Sequence, residues 1–521
     1  MATRSPLPAM AATQALALAA AAILVCCGEA PGTPFVLSLE TLMSAISSSL
    51  SSSAWRLGAL AVALGLAGCG SAMLMQHDAQ AVPLPAALPA LVPAAGVAQR
   101  ADLAIDRWWT LFNDPALDAL VAQVLAQNHD LEAAAARVRE ARAQLDEVRG
   151  AQSPSLDLQA QHARSRQSRD GALPPGADPF IGNHKVQLAA QYDVDLWGRL
   201  ASGSEAARQR LLAQEWARAA LQWSLTAQVA EAHFSLRAVQ RQIDLSDAVR
   251  DSRGRTVKLR RAEFDAGSAS ALDLRRAEAE LAGTAATLAS LQRQRAALEA
   301  TLALLAGQPV EQLAMTEPAR QPLDTVQPFV AQLPQGDAAQ WLVRRPDLRQ
   351  AEARLAAARA DIQAARAATL PALRLSGAVG SDVRSLSNLF NAPGFVWSAA
   401  AGVTQSLFDG GQARARVKEA DARADAALAD YRQAVLAAVV ELRQAYVELD
   451  LTQQAQRAEQ DRVVALEQAR RLAELGYAHG ALGQLDLLDA ERNAWQAQLN
   501  EVTATRDRLI GQVAAFKALG G

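Results

Sequence analysis

Residues 128–158 read NHDLEAAAARVREARAQLDEVRGAQSPSLDL, and residues 345–375 read RPDLRQAEARLAAARADIQAARAATLPALRL. The two align without a gap at an offset of 217. Thirteen of their 31 positions are identical, from Asp130/Asp347 and Leu131/Leu348 through Pro154/Pro371 to Leu158/Leu375. Solenoid units run only about 20–50 residues. The spacing therefore means a duplicated half, and whatever each half contributes is contributed twice. In each copy a helical pattern stops at a proline and an alternating pattern begins.

The alternation defines strands. Val186, Leu188, Ala190, Tyr192, Val194 and Leu196 alternate with Gln187, Ala189, Gln191, Asp193 and Asp195. A shorter run at 156–162 precedes it, so the first half holds a two-strand hairpin. The second half repeats this with strands at 373–379 and 395–408, where Phe395, Trp397, Ala399, Ala401 and Val403 share one face. Loops 163–183 and 380–394 join the pairs.

Helices fill the rest. The first is expected over 116–152. No proline occurs between Pro179 and Pro309. Leu225, Val229, Ala232, Leu236, Val239 and Ile243 step by 4 and 3, a coiled-coil spacing, and predict a helix over 199–263, about 97 Å long. A turn near Gly267 returns the chain in a helix to about 305. The second half predicts helices over 346–368 and 412–475, with Val435, Val439, Leu442, Tyr446 and Leu449 lying 210 residues after their counterparts. The turns also repeat. Phe264-x-x-Gly267-x4-Leu272-Asp273-Leu274 matches Tyr477-x-x-Gly480-x4-Leu485-Asp486-Leu487, and a last helix follows.

Composition excludes several classes. Net charge is −3, so no basic balance points to nucleic acid. Aromatic residues make up only 4%, and alanine, which favours helix and close helix approach, takes their place. His77, His129, His162, His184, His233 and His479 are scattered without metal spacing. No nucleophile elbow or phosphate loop occurs. The expectation is a non-enzyme without cofactor or metal.

The three cysteines, Cys26, Cys27 and Cys69, all precede the long remainder, so no disulfide framework exists there. Cys69 ends a short apolar run, Trp55 to Gly68, which reads as a signal peptide and is too short to span about 30 Å of hydrocarbon. The Leu66-Ala67-Gly68-Cys69 ending resembles a bacterial lipoprotein box, with Cys69 as the lipidated first residue. Counting from Met43 gives an ordinary 26-residue signal over 43–68. Residues 1–42 are thus expected to be a mis-annotated extension. Gly70, where an Asp would favour inner-membrane retention, leans to the outer membrane. Residues 69–106 are expected to be the anchor and an extended tether, 107–306 the first repeat, 307–340 a proline-rich connector and 341–521 the second repeat.

Four strands of about ten residues with one apolar face fit a transmembrane β-barrel, but four cannot close one. An open edge in lipid leaves unpaired backbone groups. Closure then needs several chains. Two would give eight strands, a number normally filled by side chains, and three give twelve, wide enough for a lumen.

The order of these features resembles TolC/OprM-type outer-membrane efflux factors, in particular the lipoprotein (NodT) branch. The resemblance rests on Cys69, on Trp108-Trp109-x-x-Phe112-x-Asp114-Pro115, on Arg345-Pro346-Asp347-Leu348, on the strand ends Asp193-Val194-Asp195-Leu196-Trp197-Gly198-Arg199 and Gln405-Ser406-Leu407-Phe408-Asp409-Gly410-Gly411, and on the two Gly-x4-Leu-Asp-Leu turns. It implies a mainly α protomer with a membrane β-barrel. Three copies would form a twelve-strand barrel on a periplasmic α-helical barrel. It also implies a passive exit duct in the outer membrane of a Gram-negative bacterium. Its partners would be a periplasmic adaptor and an inner-membrane pump of RND type, with outer-membrane lipid around it. The alternatives are the duct of a type I protein secretion system and a non-pore periplasmic coiled-coil lipoprotein.

By the same resemblance, Asp486 and Asp489 ring the periplasmic gate, Tyr477 is the gate tyrosine and Asp273 the acid of the partner hairpin. Leu482 stands where an arginine of the charged lock is expected, which favours an apolar constriction. Gly267, Ser268, Ser270, Gly480 and Ala481 form the adaptor-contact turns. Val186, Leu188, Tyr192, Val194, Trp397 and Val403 are expected to face lipid. The loops face outside the cell. Arg164, Arg166 and Arg169 are expected in a solvated loop, with contact to anionic lipopolysaccharide as the alternative.

Overall fold

The computed structural model describes residues 105–168, 178–312, 323, 342–389 and 392–520. The segments 1–42 and 43–68, Cys69, most of the tether and of the connector, and Arg169 lie outside the described residues.

Seven helices and four strands follow in the duplicated order among the described residues. They are α1 (Pro115–Gln127), α2 (His129–Gly150), β1 (Ser155–Arg166), β2 (Phe180–Val194), α3 (Arg199–Asp265), α4 (Ala271–Leu305), α5 (Pro346–Ala367), β3 (Ala372–Val383), β4 (Phe395–Thr404), α6 (Gln412–Ala478) and α7 (Gln484–Leu519). A 3-10 segment, Ile105–Phe112, precedes α1. Helices α3 and α6 have 67 residues each, about 100 Å apiece at 1.5 Å per residue.

The strands make one antiparallel sheet in the order β1-β2-β3-β4. The two halves meet along β2 and β3, from His184 opposite Val383 to Val194 opposite Leu373. Among the described residues the outer edges of β1 and β4 have no partner strand. In each half the first strand follows a short helix and the second leads into a long one, β1 after α2 and β2 before α3, β3 after α5 and β4 before α6.

Several boundaries differ from expectation. The helix expected over 116–152 is two helices, because Asn128 takes an extended conformation (φ −67°, ψ 124°). Its side chain accepts the Leu131 N–H at 3.0 Å and donates to the Leu305 carbonyl at 2.8 Å. An N-cap and a tertiary tie thus outweigh continued helix. Strand β1 runs on to Arg166 and β2 starts at Phe180, so the connection is 167–179 rather than 163–183, and Arg164 and Arg166 stand on a strand. Strand β3 extends to Val383. Strand β4 ends at Thr404 rather than 408, since Thr404 lies opposite Ala372, the first residue of β3, and beyond it no ladder remains.

The helices bury the predicted stripe. Leu225, Val229, Ala232, Leu236, Val239 and Ile243 are all buried, as are Val435, Leu442 and Leu449. The main core gathers the 3-10 segment, α1, the middle of α3 and α6, and the ends of α4 and α7. Trp108 is fully buried and stacks on Phe516 of α7, with ring centroids 5.7 Å apart. Phe112 meets Phe234 of α3 at 5.0 Å. The Trp-Trp-x-x-Phe motif is thus the plug that joins the chain's first described segment to its last helix.

Asp114, next in that motif, is 4% exposed. It caps α1 through the N–H groups of Ala116 and Leu117, receives a 2.8 Å hydrogen bond from His233 and pairs with Arg237. Burial alone would push its carboxyl up. The hydrogen bond and charge of His233, the charge of Arg237 and the Leu117 N–H outweigh burial and hold it far below the ordinary carboxylate range.

Candidate functional site

The register sorts the sheet into two chemically distinct faces. Partners across a ladder point to the same side. Leu158, Leu188, Val379 and Trp397 form one row, and Leu156, Ala190, Gly377 and Ala399 the next. Tyr192 continues this face with Leu375 and Ala401, and Val194 with Leu373 and Val403. All six residues expected to face lipid therefore share one apolar surface. Leu158 is 72% exposed and Val403 69%, so no described residue covers them. Phe180, Phe395 and Trp397 lie toward one end and Tyr192 toward the other, in the manner of aromatic belts.

The opposite face is polar. Gln187 donates to Gln159 at 2.8 Å, Asn183 to Asp382 at 3.3 Å and Arg374 to Asp193 at 2.8 Å, each pair across neighbouring strands. Such alternation is what a wall with lipid on one side and water on the other requires.

The strand ends convert to helices through paired elbows. Gly198 and Gly411 both have positive φ, 73° and 90°, at the N-terminal boundaries of α3 and α6. Beside them Asp195 accepts the Ala201 N–H and Asp409 the Ala413 N–H, each filling an orphan donor of a first turn. The Asp-Leu-Trp-Gly and Phe-Asp-Gly-Gly signatures thus aim both long helices off the sheet.

At the other end of the helices, the two turns have the same backbone. Gly267 (φ 75°) and Gly480 (φ 73°) follow the helix caps. The N–H of Ser268 returns to the Glu263 carbonyl, and that of Ala481 to the Gly476 carbonyl. This is the Schellman closure, which favours glycine at the left-handed position. Ser270 then caps α4 and bonds the Asp273 carboxyl at 2.6 Å. In the second turn Asp486 accepts the Gly483 N–H at 3.0 Å. Asp489 pairs with Arg492 at 2.7 Å. Within one chain, Asp273 therefore accepts from the capping hydroxyl of Ser270, Asp486 caps α7, and Asp489 has a basic neighbour on its own helix. Leu482 folds back on α6, where a Cβ added to Gly476 would lie 2.7 Å from its Cδ1.

Tyr477 makes the link that the sequence did not disclose. Its hydroxyl bonds Arg260 of α3, joining the second hairpin to the first. The guanidinium carbon lies 5.7 Å from the tyrosine ring centroid, and Arg260 also pairs with Glu263 at 2.6 Å. Arg260 and Tyr477 are 217 residues apart, so no local pattern could pair them.

A second tie lies farther from the turns. Arg253 of α3 is buried, pairs with Glu280 of α4 at 3.0 Å and donates to Thr284. Its guanidinium carbon lies 5.1 Å from the Trp495 ring of α7. Glu491 shares this region; burial pushes its carboxyl up, Arg253 opposes the shift and Glu474 adds to it. Three helices are thereby pinned behind the tip by one buried cation.

No helix among the described residues is long and apolar enough to cross a membrane.

Known proteins share this arrangement. A family model described as outer membrane efflux protein matches residues 120–308 and 338–521. The pyoverdine export outer membrane protein OpmQ of Pseudomonas putida is 32% identical, over 82% of this chain and 90% of its own length. The solved outer-membrane channel OprN is 33% identical, with a TM-score of 0.73 over 80% of this chain and 92% of its own. The open state of the Neisseria gonorrhoeae MtrE outer membrane channel is 34% identical, with a TM-score of 0.71 over 78% and 89%.

Proposed function

The chain belongs to the outer membrane efflux protein family and is an outer-membrane efflux channel, and from that premise we propose that three copies assemble into one duct. Twelve strands close a barrel in the outer membrane, and the long helices continue it as a tunnel across the periplasm. The observation that carries this reading is the four-stranded sheet with one exposed apolar face and, among the described residues, two edges without a partner strand. An open edge in hydrocarbon costs several kcal/mol for each unpaired group, and pairing β4 of one copy with β1 of the next removes both edges. The partners of the duct are a periplasmic adaptor, held at the turns around Gly267, Ser268, Ser270, Gly480 and Ala481, and an inner-membrane pump of RND type.

In this reading the hairpin tip is the gate. Tyr477, Leu482, Asp273, Asp486 and Asp489 converge there from three copies. Helix capping by Asp486 is compatible with a place on the bore, because a carboxylate accepting one backbone N–H keeps further acceptor capacity. Like charges at a constriction repel one another and attract cations.

The test is planar-bilayer conductance of the purified protein. Wild type is expected to form channels of low conductance, and Asp486→Ala with Asp489→Ala to raise single-channel conductance and cell leakiness to large antibiotics. A protein that inserts no channel sinks the duct. Unchanged conductance and leakiness in the variant remove the two acids from the gate.

Cys69 carries a covalent lipid after cleavage between Gly68 and Cys69, which anchors each copy to the membrane. Intact-mass measurement is expected to find a mature chain beginning at an acylated Cys69. A mature chain retaining any of residues 1–42, or an unmodified Cys69, removes the anchor.

A further inference from the structure

The outward face of the sheet changes character at its far end. Moving up the β1–β2 ladder from the apolar rows, His162 stands opposite His184, Arg164 opposite Gly182 and Arg166 opposite Phe180. All belong to the face that carries Leu156, Leu158 and Val186. The imidazole rings stack with centroids 4.3 Å apart. The Arg164 and Arg166 guanidinium carbons lie 5.3 and 5.9 Å from the Phe180 ring centroid. An aromatic ring thus seats two guanidinium groups side by side.

The electrostatics of this collar are one-sided. Among the described residues no carboxylate lies within 4.0 Å of either guanidinium. Asp382 belongs to the opposite face, with Asn183. Asp178 accepts the Phe180 N–H. Gly182, opposite Arg164, puts no side chain beside that guanidinium. The two arginines are two residues apart on one strand, about 6.6 Å along it. That separation lets both guanidinium forks reach one phosphate, which Arg recognises by paired N–H donors.

We propose that this collar binds the phosphate groups of a phosphorylated glycolipid in the outer leaflet of the outer membrane. The inference rests on the duct reading, which turns the apolar face to lipid. The apolar rows then meet acyl chains, and the collar sits one step farther out, at the level of the headgroups. The strand placement of Arg164 and Arg166 is what separates this from a solvated loop. Their side chains share a wall with Leu158 and Val186 rather than projecting from a loop tip. The anionic partner is complementary to two cations that form no ion pair with a carboxylate among the described residues.

The experiment uses the full-length protein, delipidated in detergent and titrated with bisphosphorylated lipid A, with the same glycolipid after phosphate removal, and with phosphatidylglycerol. Bound lipid is counted by native mass spectrometry. Wild type is expected to prefer the phosphorylated glycolipid over both others. Arg164→Ser with Arg166→Ser is expected to weaken that binding about tenfold, which corresponds to about 1.4 kcal/mol, while oligomer and conductance stay as in wild type. Should the serine variant fail to assemble, Arg164→Lys with Arg166→Lys keeps the charge, removes the forks and is expected to show a smaller loss. Equal binding by wild type and both variants overturns the collar, as does equal binding of the dephosphorylated glycolipid. Phosphatidylglycerol binding as tight as lipid A overturns the glycolipid assignment. A wild type that conducts normally yet binds none of the three defeats the collar alone; one that neither conducts nor binds defeats the duct as well.

Discussion

Asp114→Ala costs the protein about 3–5 kcal/mol of stability, the range for removing one member of a buried charge pair. The size follows from what stays behind. His233 and Arg237 are both buried, with side chains about 6% exposed, and lose the carboxylate that offsets their desolvation. The same carboxyl also caps α1 through Ala116 and Leu117, and losing a cap adds about 1 kcal/mol. Asp114→Asn separates the two effects, because asparagine caps as well as aspartate but carries no charge. Thermal melting of the purified protein, followed by tryptophan fluorescence, is the measurement, with Glu132→Ala as an exposed control on α2. The control is expected to melt with wild type, Asp114→Asn lower and Asp114→Ala lowest. A normal melting point for Asp114→Ala would mean that the network is dispensable.

The pH dependence of that difference has a definite sign. The folded carboxyl is depressed below its ordinary value of 3.8. Its contribution is therefore complete above about pH 3.8 and is lost as pH falls further through the folded value. The gap between wild type and Asp114→Asn should be widest near neutrality and shrink below pH 3.8. A gap that grows on acidification would contradict the depressed carboxyl.

The legible and illegible parts of this chain divide along one physical line. Long helices follow from an uninterrupted stretch without proline and a 4-3 apolar spacing, both local in sequence. Strand cores follow from strict alternation, also local. What failed was each boundary set by a partner. Strand β1 outruns its apolar pattern because β2 continues to pair with it to Phe180, and the residues added there, Arg164 and Arg166 among them, break the alternation that would have disclosed them. Strand β4 stops opposite the first residue of β3, although Leu407 and Phe408 continue to look strand-like. Asn128 interrupts a smooth helical pattern because the Leu305 carbonyl, 177 residues away, holds it. The site followed the same rule. The turn glycines and the acids Asp273 and Asp486 were visible in the motif, but their hydrogen bonds at the helix starts were not. Arg253, Arg260 and the partners of Asp114 were not, since their roles depend on helices brought together from distant segments.

The largest functional effect is expected at the proposed gate, where Arg260→Ala with Tyr477→Phe should raise single-channel conductance severalfold. Aligning the two turns at Gly267 and Gly480 gives an offset of 213, which places Phe264 against Tyr477 and Ala473 against Arg260. Each half thus supplies one member of the bond and lacks the other. The duplication therefore yields one tie between the hairpins at this level, and the second copy of the tie is absent in both directions. A hydrogen bond from a charged donor contributes about 1.5–3 kcal/mol, and a cation over an exposed aromatic ring about 0.5–1 kcal/mol. Tyr477→Phe alone, which keeps the ring and loses the hydroxyl, should accordingly give most of the opening. Arg260→Ala also leaves Glu263 without its 2.6 Å partner, so the double variant should exceed the single. The Arg253 tie to Glu280 and Trp495 holds α3 to α4 and α7 and stays intact in these variants, so hairpin packing persists while the tip loosens. Conductance unchanged in both variants, with normal assembly, would move the barrier away from this bond. An increase confined to Leu482→Ala would assign it to the apolar residue folded over Gly476.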